Sequence, residues 1–262
     1  MSNASSTQIQ RIVDKISKSR EQGDYTDLKI VCDGVELNVH KIILCSQSPV
    51  FRAACAGNFK ASVSYGELES VESTYQMMDE SIPVVKRMLD YLYTGDYSDF
   101  AGGSSTDAPA NEPLSSMSSL QLHAQLFTIG DKYCIPELCD AAAEKYSSRL
   151  IKDFDPIEYL DSIPDVFCPP LNHNKGLKEL VVRFSRVNLR FHLQDASIRA
   201  KYDAIAAETP DFVKELLDAY LEAPLLEDCE NCGCARPMSA LQVRCQKCGR
   251  GKGAYKSRYN DW

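Results

Sequence analysis

Between Thr26 and Phe51 the hydrophobic pattern changes period. Leu28, Ile30 and Cys32 alternate with Asp27, Lys29 and Val31, and Val35, Leu37 and Val39 alternate with Glu36, Asn38 and His40. Period two on both sides of Asp33-Gly34 predicts two short strands joined by a two-residue turn. Ile42, Ile43 and Leu44 then form an apolar block that ends at Ser48-Pro49, and Pro49 suits the first turn of a new helix reaching about Ala56. The stretch reads as a hairpin followed by two short helices.

The flanking segments read mostly as helix. Ile9, Ile12, Val13 and Ile16 recur at i, i+3, i+4 and i+7, an amphipathic helix within residues 1–24. Residues 62–80 are less regular, and within them residues 75–78 are expected to form a third strand. Ser81 is placed to cap a helix with Pro83 in its first turn. Ile82, Val85, Leu89 and Leu92 give that helix a buried face, and Gly95 stops it. Residues 97–100 are expected as a short edge strand. Residues 101–113 (AGGSSTDAPANEP) hold no apolar side chain beyond alanine and read as a surface insertion. Further helices are expected at 116–133, 136–149, 156–163, 177–191, 196–208 and 210–220, separated in part by Pro164, Pro169-Pro170 and Pro210. The class is α+β.

Asp27-Leu28, Val39-His40-Lys41, Leu44, Ser46, Ser48-Pro49 and Phe51, followed by the run from Met88 to Tyr97 (MLDYLYTGDY), resemble the BTB/POZ domain family over about residues 24–150. The resemblance implies a small sheet of short strands packed on a helical cluster, working as a protein-interaction module that is often homodimeric. It implies that the N-terminal helix, with Ile9, Ile12, Val13 and Ile16, packs across a dimer partner. It matches Asp27 to an aspartate of a charged pair near that interface, with Lys41 as the basic member. Local packing of the helix, a turn aspartate and a solvated lysine are the plainer alternatives. Many members bind cullin-3 through a hydrophobic-x-Glu motif. Here the matching residues are Phe59-Lys60-Ala61, so the hydrophobic anchor is present and the glutamate is absent. The organisation expected is an N-terminal helix at 1–24, a BTB/POZ domain at 25–150, a helical extension at 151–226 and a zinc ribbon with a basic tail at 227–262.

Composition changes this picture in the tail. Apolar residues make up 44% and charged residues 25% of the chain, ordinary for a globular protein. No run approaches a membrane-spanning length, and residues 1–25 carry charges throughout rather than an apolar signal region. Of eleven cysteines, five fall within residues 229–248. Cys229-x2-Cys232 and Cys245-x2-Cys248 are each followed by glycine, which permits the tight turn two thiolates need to grip one metal. Four thiolates close a tetrahedral site, so the expected cofactor is a structural zinc. Two disulfides are the alternative, and an intracellular setting, nuclear or cytoplasmic, argues against them. The other six cysteines read as small core hydrophobes.

Net charge is −8, but residues 229–262 carry +5, leaving −13 for residues 1–228. The body repels nucleic acid, and the tail alone could attract it. A DNA-linked regulator is therefore the rival to a protein scaffold or adaptor. No nucleophile elbow, Walker loop or His-Glu-x-x-His occurs, and His40, His123, His173 and His192 are widely spaced in sequence, so no enzymatic role is expected. His40 and His123 read as packing histidines.

Overall fold

The structure, a computed structural model, describes residues 3–58, 74–99, 117–167, 175–222, 225–228 and 235–238. The chain divides into two compact units, residues 1–177 and 178–262.

The first unit is built on the hairpin. Strands β1 (Leu28–Cys32) and β2 (Val35–Val39) pair antiparallel, with Cys32 opposite Val35. Asp33 and Gly34 both take positive φ (48° and 77°), the two-residue turn whose twist matches that of the strands. Leu28, Ile30 and Cys32 are buried on one face of β1. On β2 the alternation fades outward, from buried Val39 to exposed Val35. Strand β3 (Thr74–Met77) pairs parallel to the other edge of β1, giving the order β2-β1-β3.

Helix α1 (Asn3–Gln22) precedes this hairpin, α2 (Lys41–Gln47) and α3 (Pro49–Ala53) follow it, and a π-helical turn, Ala54–Asn58, follows α3. Ser48 ends α2 and caps α3. Its hydroxyl accepts the Phe51 N–H at 3.2 Å and donates to the Tyr133 carbonyl at 2.6 Å. Phe51 is fully buried and stacks on Tyr133, with ring centroids 4.7 Å apart, while Tyr75 of β3 meets it edge-on at 5.3 Å.

Helix α4 (Ile82–Thr94) buries Val85, Leu89 and Leu92 and stops at Gly95, whose φ is 78°. Ser81 holds the N-cap position, but its side chain makes no capping bond, contrary to expectation. Residues 97–99 are not a strand. Tyr97 is buried, its hydroxyl meets His123 and its carbonyl accepts from Lys145, so side chains occupy the groups an edge strand would use.

Helix α5 (Ser119–Lys132) begins three residues later than expected, because Ser118 and Gln121 form a reciprocal capping box. It packs against α6 (Pro136–Lys152) at Gly130. A Cβ there would sit 2.9 Å from Cys139 Sγ and 3.3 Å from the Cys139 backbone nitrogen. Helix α7 (Pro156–Phe167) runs through Pro164, where a break was expected. The lost N–H deprives one carbonyl of a partner, and burial of Ile163, Val166 and Phe167 around it offsets that cost.

Helices α8 (Lys175–His192), α9 (Ala196–Glu208) and α10 (Pro210–Glu222) make up most of the described part of the second unit. Asp195 caps α9 through the Ser197 and Ile198 N–H groups. Strands β4 (Leu225–Asp228) and β5 (Ala235–Met238) pair antiparallel, with Asp228 opposite Ala235. Among the described residues no helix is long and apolar enough to cross a membrane. The insertion at 101–113, Phe59, Cys229, Cys232, Cys245 and Cys248 lie outside the described residues.

Candidate protein-interaction face

Helix α1 is fixed to its own domain by its C-terminal end. The Arg20 guanidinium pairs with Asp90 of α4 at 2.9 Å and lies over the Tyr93 ring at 4.7 Å. Arg87 holds the other Asp90 oxygen at 3.3 Å. Tyr93 is the hub. Its hydroxyl accepts the His40 backbone N–H at 2.8 Å and lies 2.8 Å from His40 Nδ1. His40 Nε2 faces the Asp24 carbonyl at 3.0 Å. A carbonyl only accepts, so Nε2 carries the proton and the Tyr93 hydroxyl donates to Nδ1. Burial raises the Tyr93 pKa, which keeps that hydroxyl neutral and able to donate. His40, the packing histidine expected from the sequence, thus ties the end of β2 to α4 and to the turn after α1.

Asp27 caps α2 from outside it. Its Oδ1 accepts the Lys41 backbone N–H at 2.7 Å, at the positive end of the helix dipole. The structure therefore brings Asp27 and Lys41 together through a bond to the Lys41 main-chain amide. Asp27 is exposed and Lys41 half-buried.

With α1 anchored, its four isoleucine and valine positions divide. Val13 and Ile16 are half-buried against the domain, while Ile9 and Ile12 remain 59% and 52% exposed. Two residues that periodicity did not single out join them. Ile42, at the start of α2, is 73% exposed, and Tyr25 is 93% exposed at φ 57°. A cleft of about 320 Å³ lies between α1 and α2, with Lys15 as well as Ile16, Tyr25, His40, Ile42 and Ile43 in its lining. A signal for Ile42 existed in the sequence: three consecutive apolar residues on a helix cannot all face one core. Clustered exposed aliphatic and aromatic side chains on a rigid frame mark a protein-binding surface.

A second polar cluster could pass for a catalytic site. His123, fully buried on α5, has Nδ1 2.9 Å from the Tyr97 hydroxyl and Nε2 3.7 Å from Asp99. Lys145 lies 2.8 Å from Asp96 and 3.4 Å from Asp99, over the Tyr97 ring at 4.3 Å. Burial drives the His123 pKa down to about 4 and raises that of Tyr97. The imidazole is neutral and the phenol protonated, a pair that packs α5 against the segment after α4 rather than one poised to exchange protons.

The family model described as BTB/POZ domain matches residues 16–150. The chain belongs to the BTB/POZ domain family, whose members are protein-interaction modules. It is similar to TD and POZ domain-containing protein 3 of Mus musculus, 32% identical over 84 residues, which are 32% of this chain and 21% of that one. It is also similar to BTB/POZ and MATH domain-containing protein 4 of Arabidopsis thaliana, 25% identical over 198 residues, 75% of this chain and 37% of that one. Among solved structures, the BTB domain of zebrafish PATZ1 matches at 14% identity with a TM-score of 0.39, covering 55% of this chain and 94% of that one. The matched segment spans about a fifth of the length of the first of these relatives.

Proposed function

We propose that this protein is a scaffold or adaptor that homodimerises through the face formed by α1, Tyr25 and the start of α2. The observation that carries this reading is the exposure of Ile9, Ile12, Tyr25 and Ile42 beside an apolar cleft, on a helix whose other end is tied down by Arg20. A pre-ordered apolar face spends little conformational entropy on association. Asp27 and Lys41 lie at the base of this face, where burial in a dimer favours one register over others. Light scattering on a sizing column tests it. A mass of at least twice 29.2 kDa at micromolar concentration is expected, with weaker association for Ile9→Asp/Ile12→Asp. A wild-type chain that runs only as a monomer refutes it.

Within the adaptor reading, cullin-3 is the proposed ligase partner, with Phe59 as the anchor. Family membership supports it, and the alanine at position 61 in place of the motif's glutamate weakens the contact. Binding of purified cullin-3 that is lost in Phe59→Ala is the expected result; no binding at tens of micromolar leaves a scaffold without a ligase.

The tail is proposed to be a zinc ribbon held by Cys229, Cys232, Cys245 and Cys248. The cysteine spacing supports this, and so does the pairing of β4 with β5, whose register draws together the two ends of the segment carrying Cys229 and Cys232. Elemental analysis should find one zinc per chain, and well under one rejects it. The basic balance of residues 229–262 favours a second reading, a DNA-linked regulator in the nucleus. A gel-shift titration separates the two, since phosphate contacts give an affinity that falls steeply with salt.

A further inference from the structure

Helix α8 is amphipathic twice over. Leu177, Val181 and Leu189 lie buried on one face. A second row, Leu180, Phe184, Val187 and Phe191, recurs at i, i+4, i+7 and i+11, the spacing of a coiled-coil seam. Leu180 and Phe184 are half-buried, whereas Val187 and Phe191 are 51% and 58% exposed. Helix α10 repeats the arrangement: Phe212 and Leu216 are buried, while Leu217 and Leu221 are exposed. The two helices are fixed against each other. The Tyr220 hydroxyl donates to the Arg186 carbonyl at 3.0 Å, and the Arg186 guanidinium lies over the Tyr220 ring at 5.6 Å.

Charge separates the two rows. Helix α8 carries Lys175, Lys178, Arg183, Arg186 and Arg190 against Glu179. Helix α10 carries Asp211, Glu215, Asp218 and Glu222 against Lys214. Arg183 and Arg190 flank the α8 row on one side, the Arg190 guanidinium lying over the Phe191 ring at 4.6 Å, and Asp218 is the acidic neighbour of the α10 row. We infer that these rows form a second self-association face, on which α8 of one copy packs on α10 of another. An antiparallel α8-on-α8 pairing would set Arg183 against Arg190 of the other copy, and α10 on α10 would oppose acidic helices. The crossed pairing meets opposite charges with apolar rows aligned. Under two-fold symmetry it forms twice, so each copy has both rows covered. The face does not depend on the α1 surface.

The experiment uses the full chain with Ile9→Asp/Ile12→Asp introduced throughout, so that the α1 face is disabled. Light scattering and sedimentation then follow mass against concentration, with circular dichroism confirming that each variant keeps its helical content. This background should still form a dimer. Adding Arg183→Glu/Arg190→Glu, or separately Asp211→Lys/Asp218→Lys, should each weaken that dimer by about tenfold or more, because like charges then face each other. Mixing the two charge-reversed chains should restore it: in the mixed pair one crossing carries reversed charges on both sides and the other keeps the native ones. A background that is monomeric at every concentration overturns the inference while leaving the α1 reading intact. Charge variants that each leave the dimer unchanged, or a mixture that stays monomeric, also overturn it. A background that assembles just as the wild type does speaks against the α1 face alone.

Discussion

His123 should make the first unit lose stability in mild acid. In the folded chain burial holds the imidazole pKa at about 4, against 6.5 for an exposed histidine, and the Lys145 and Arg149 charges act in the same direction. Asp99, 3.7 Å away, and Glu158 act the other way without reversing it. A folded-state pKa below the unfolded value means that the unfolded chain binds the proton more tightly. The stabilising contribution is therefore complete above about pH 6.5 and is lost as pH falls toward 4. The full gap corresponds to about 3 kcal/mol, and at pH 5 the loss is about 2 kcal/mol. Urea unfolding of wild type and His123→Asn between pH 7.5 and 5 measures it. Asparagine keeps a polar partner near the Tyr97 hydroxyl and does not titrate. The variant is less stable at pH 7.5, yet its stability should fall by about 2 kcal/mol less than wild type on going to pH 5. An NMR titration reads the same quantity directly, with the His123 ring staying neutral down to about pH 5. Equal pH slopes for the two proteins, or a His123 ring that titrates near 6.5, would refute the reasoning.

Ser48→Ala removes the α3 cap and leaves the Tyr133 carbonyl without its donor. A loss of about 2 kcal/mol in denaturant unfolding is expected, whereas Ser46→Ala, at an exposed position, should cost well under half of that. Gly130→Ala gains about 1 kcal/mol of helix propensity, but its Cβ would meet Cys139 Sγ at 2.9 Å, so the net effect should be destabilising. Adding Cys139→Ala should recover much of the loss, and a Gly130→Ala chain as stable as wild type contradicts the close approach of α5 and α6.

How far the sequence reached depended on whether a feature is local. The β1–β2 hairpin was legible because Asp33 and Gly34 dictate the turn and period two dictates the register. Helix α9 was bounded correctly because Asp195 caps its start and Pro210 lies just beyond its end. The parallel pairing of β3 with β1 was not legible, since nothing in four residues of strand says which edge they join. Pro164 misled because a proline's local cost was outweighed by the burial of Ile163, Val166 and Phe167, which depends on distant helices. Residues 97–99 misled for the mirror reason, as the partners of Tyr97 come from α5 and α6. At the candidate face, the helical course of α1 was legible from the spacing of Ile9, Ile12, Val13 and Ile16, but not which of them stay exposed. The Arg20 anchor to Asp90 and Tyr93 spans about seventy residues, and the exposure of Tyr25 followed only once α1 and α2 were in place.

Tyr25 connects local strain with the proposed association. A bulky residue at φ 57° sits where its Cβ crowds the backbone, at a cost of about 1–2 kcal/mol. At 93% exposure the isolated chain recovers little of that cost by burying the ring. Such strain persists where the ring works outside its own domain, beside Ile16 and Ile42 at the mouth of the cleft. Tyr25→Asn separates the two effects, because asparagine tolerates the left-handed conformation without the extra unfolded-state freedom of glycine. For a chain already carrying Ile9→Asp/Ile12→Asp, the substitution should raise unfolding stability by about 0.5–1 kcal/mol. In an otherwise wild-type chain it should weaken the dimer, since an aromatic anchor at an interface centre is commonly worth about 2 kcal/mol or more. Opposite signs in the two measurements are the expected result. A variant that loses stability in the first and dimerises unchanged in the second would show that Tyr25 serves its own fold alone.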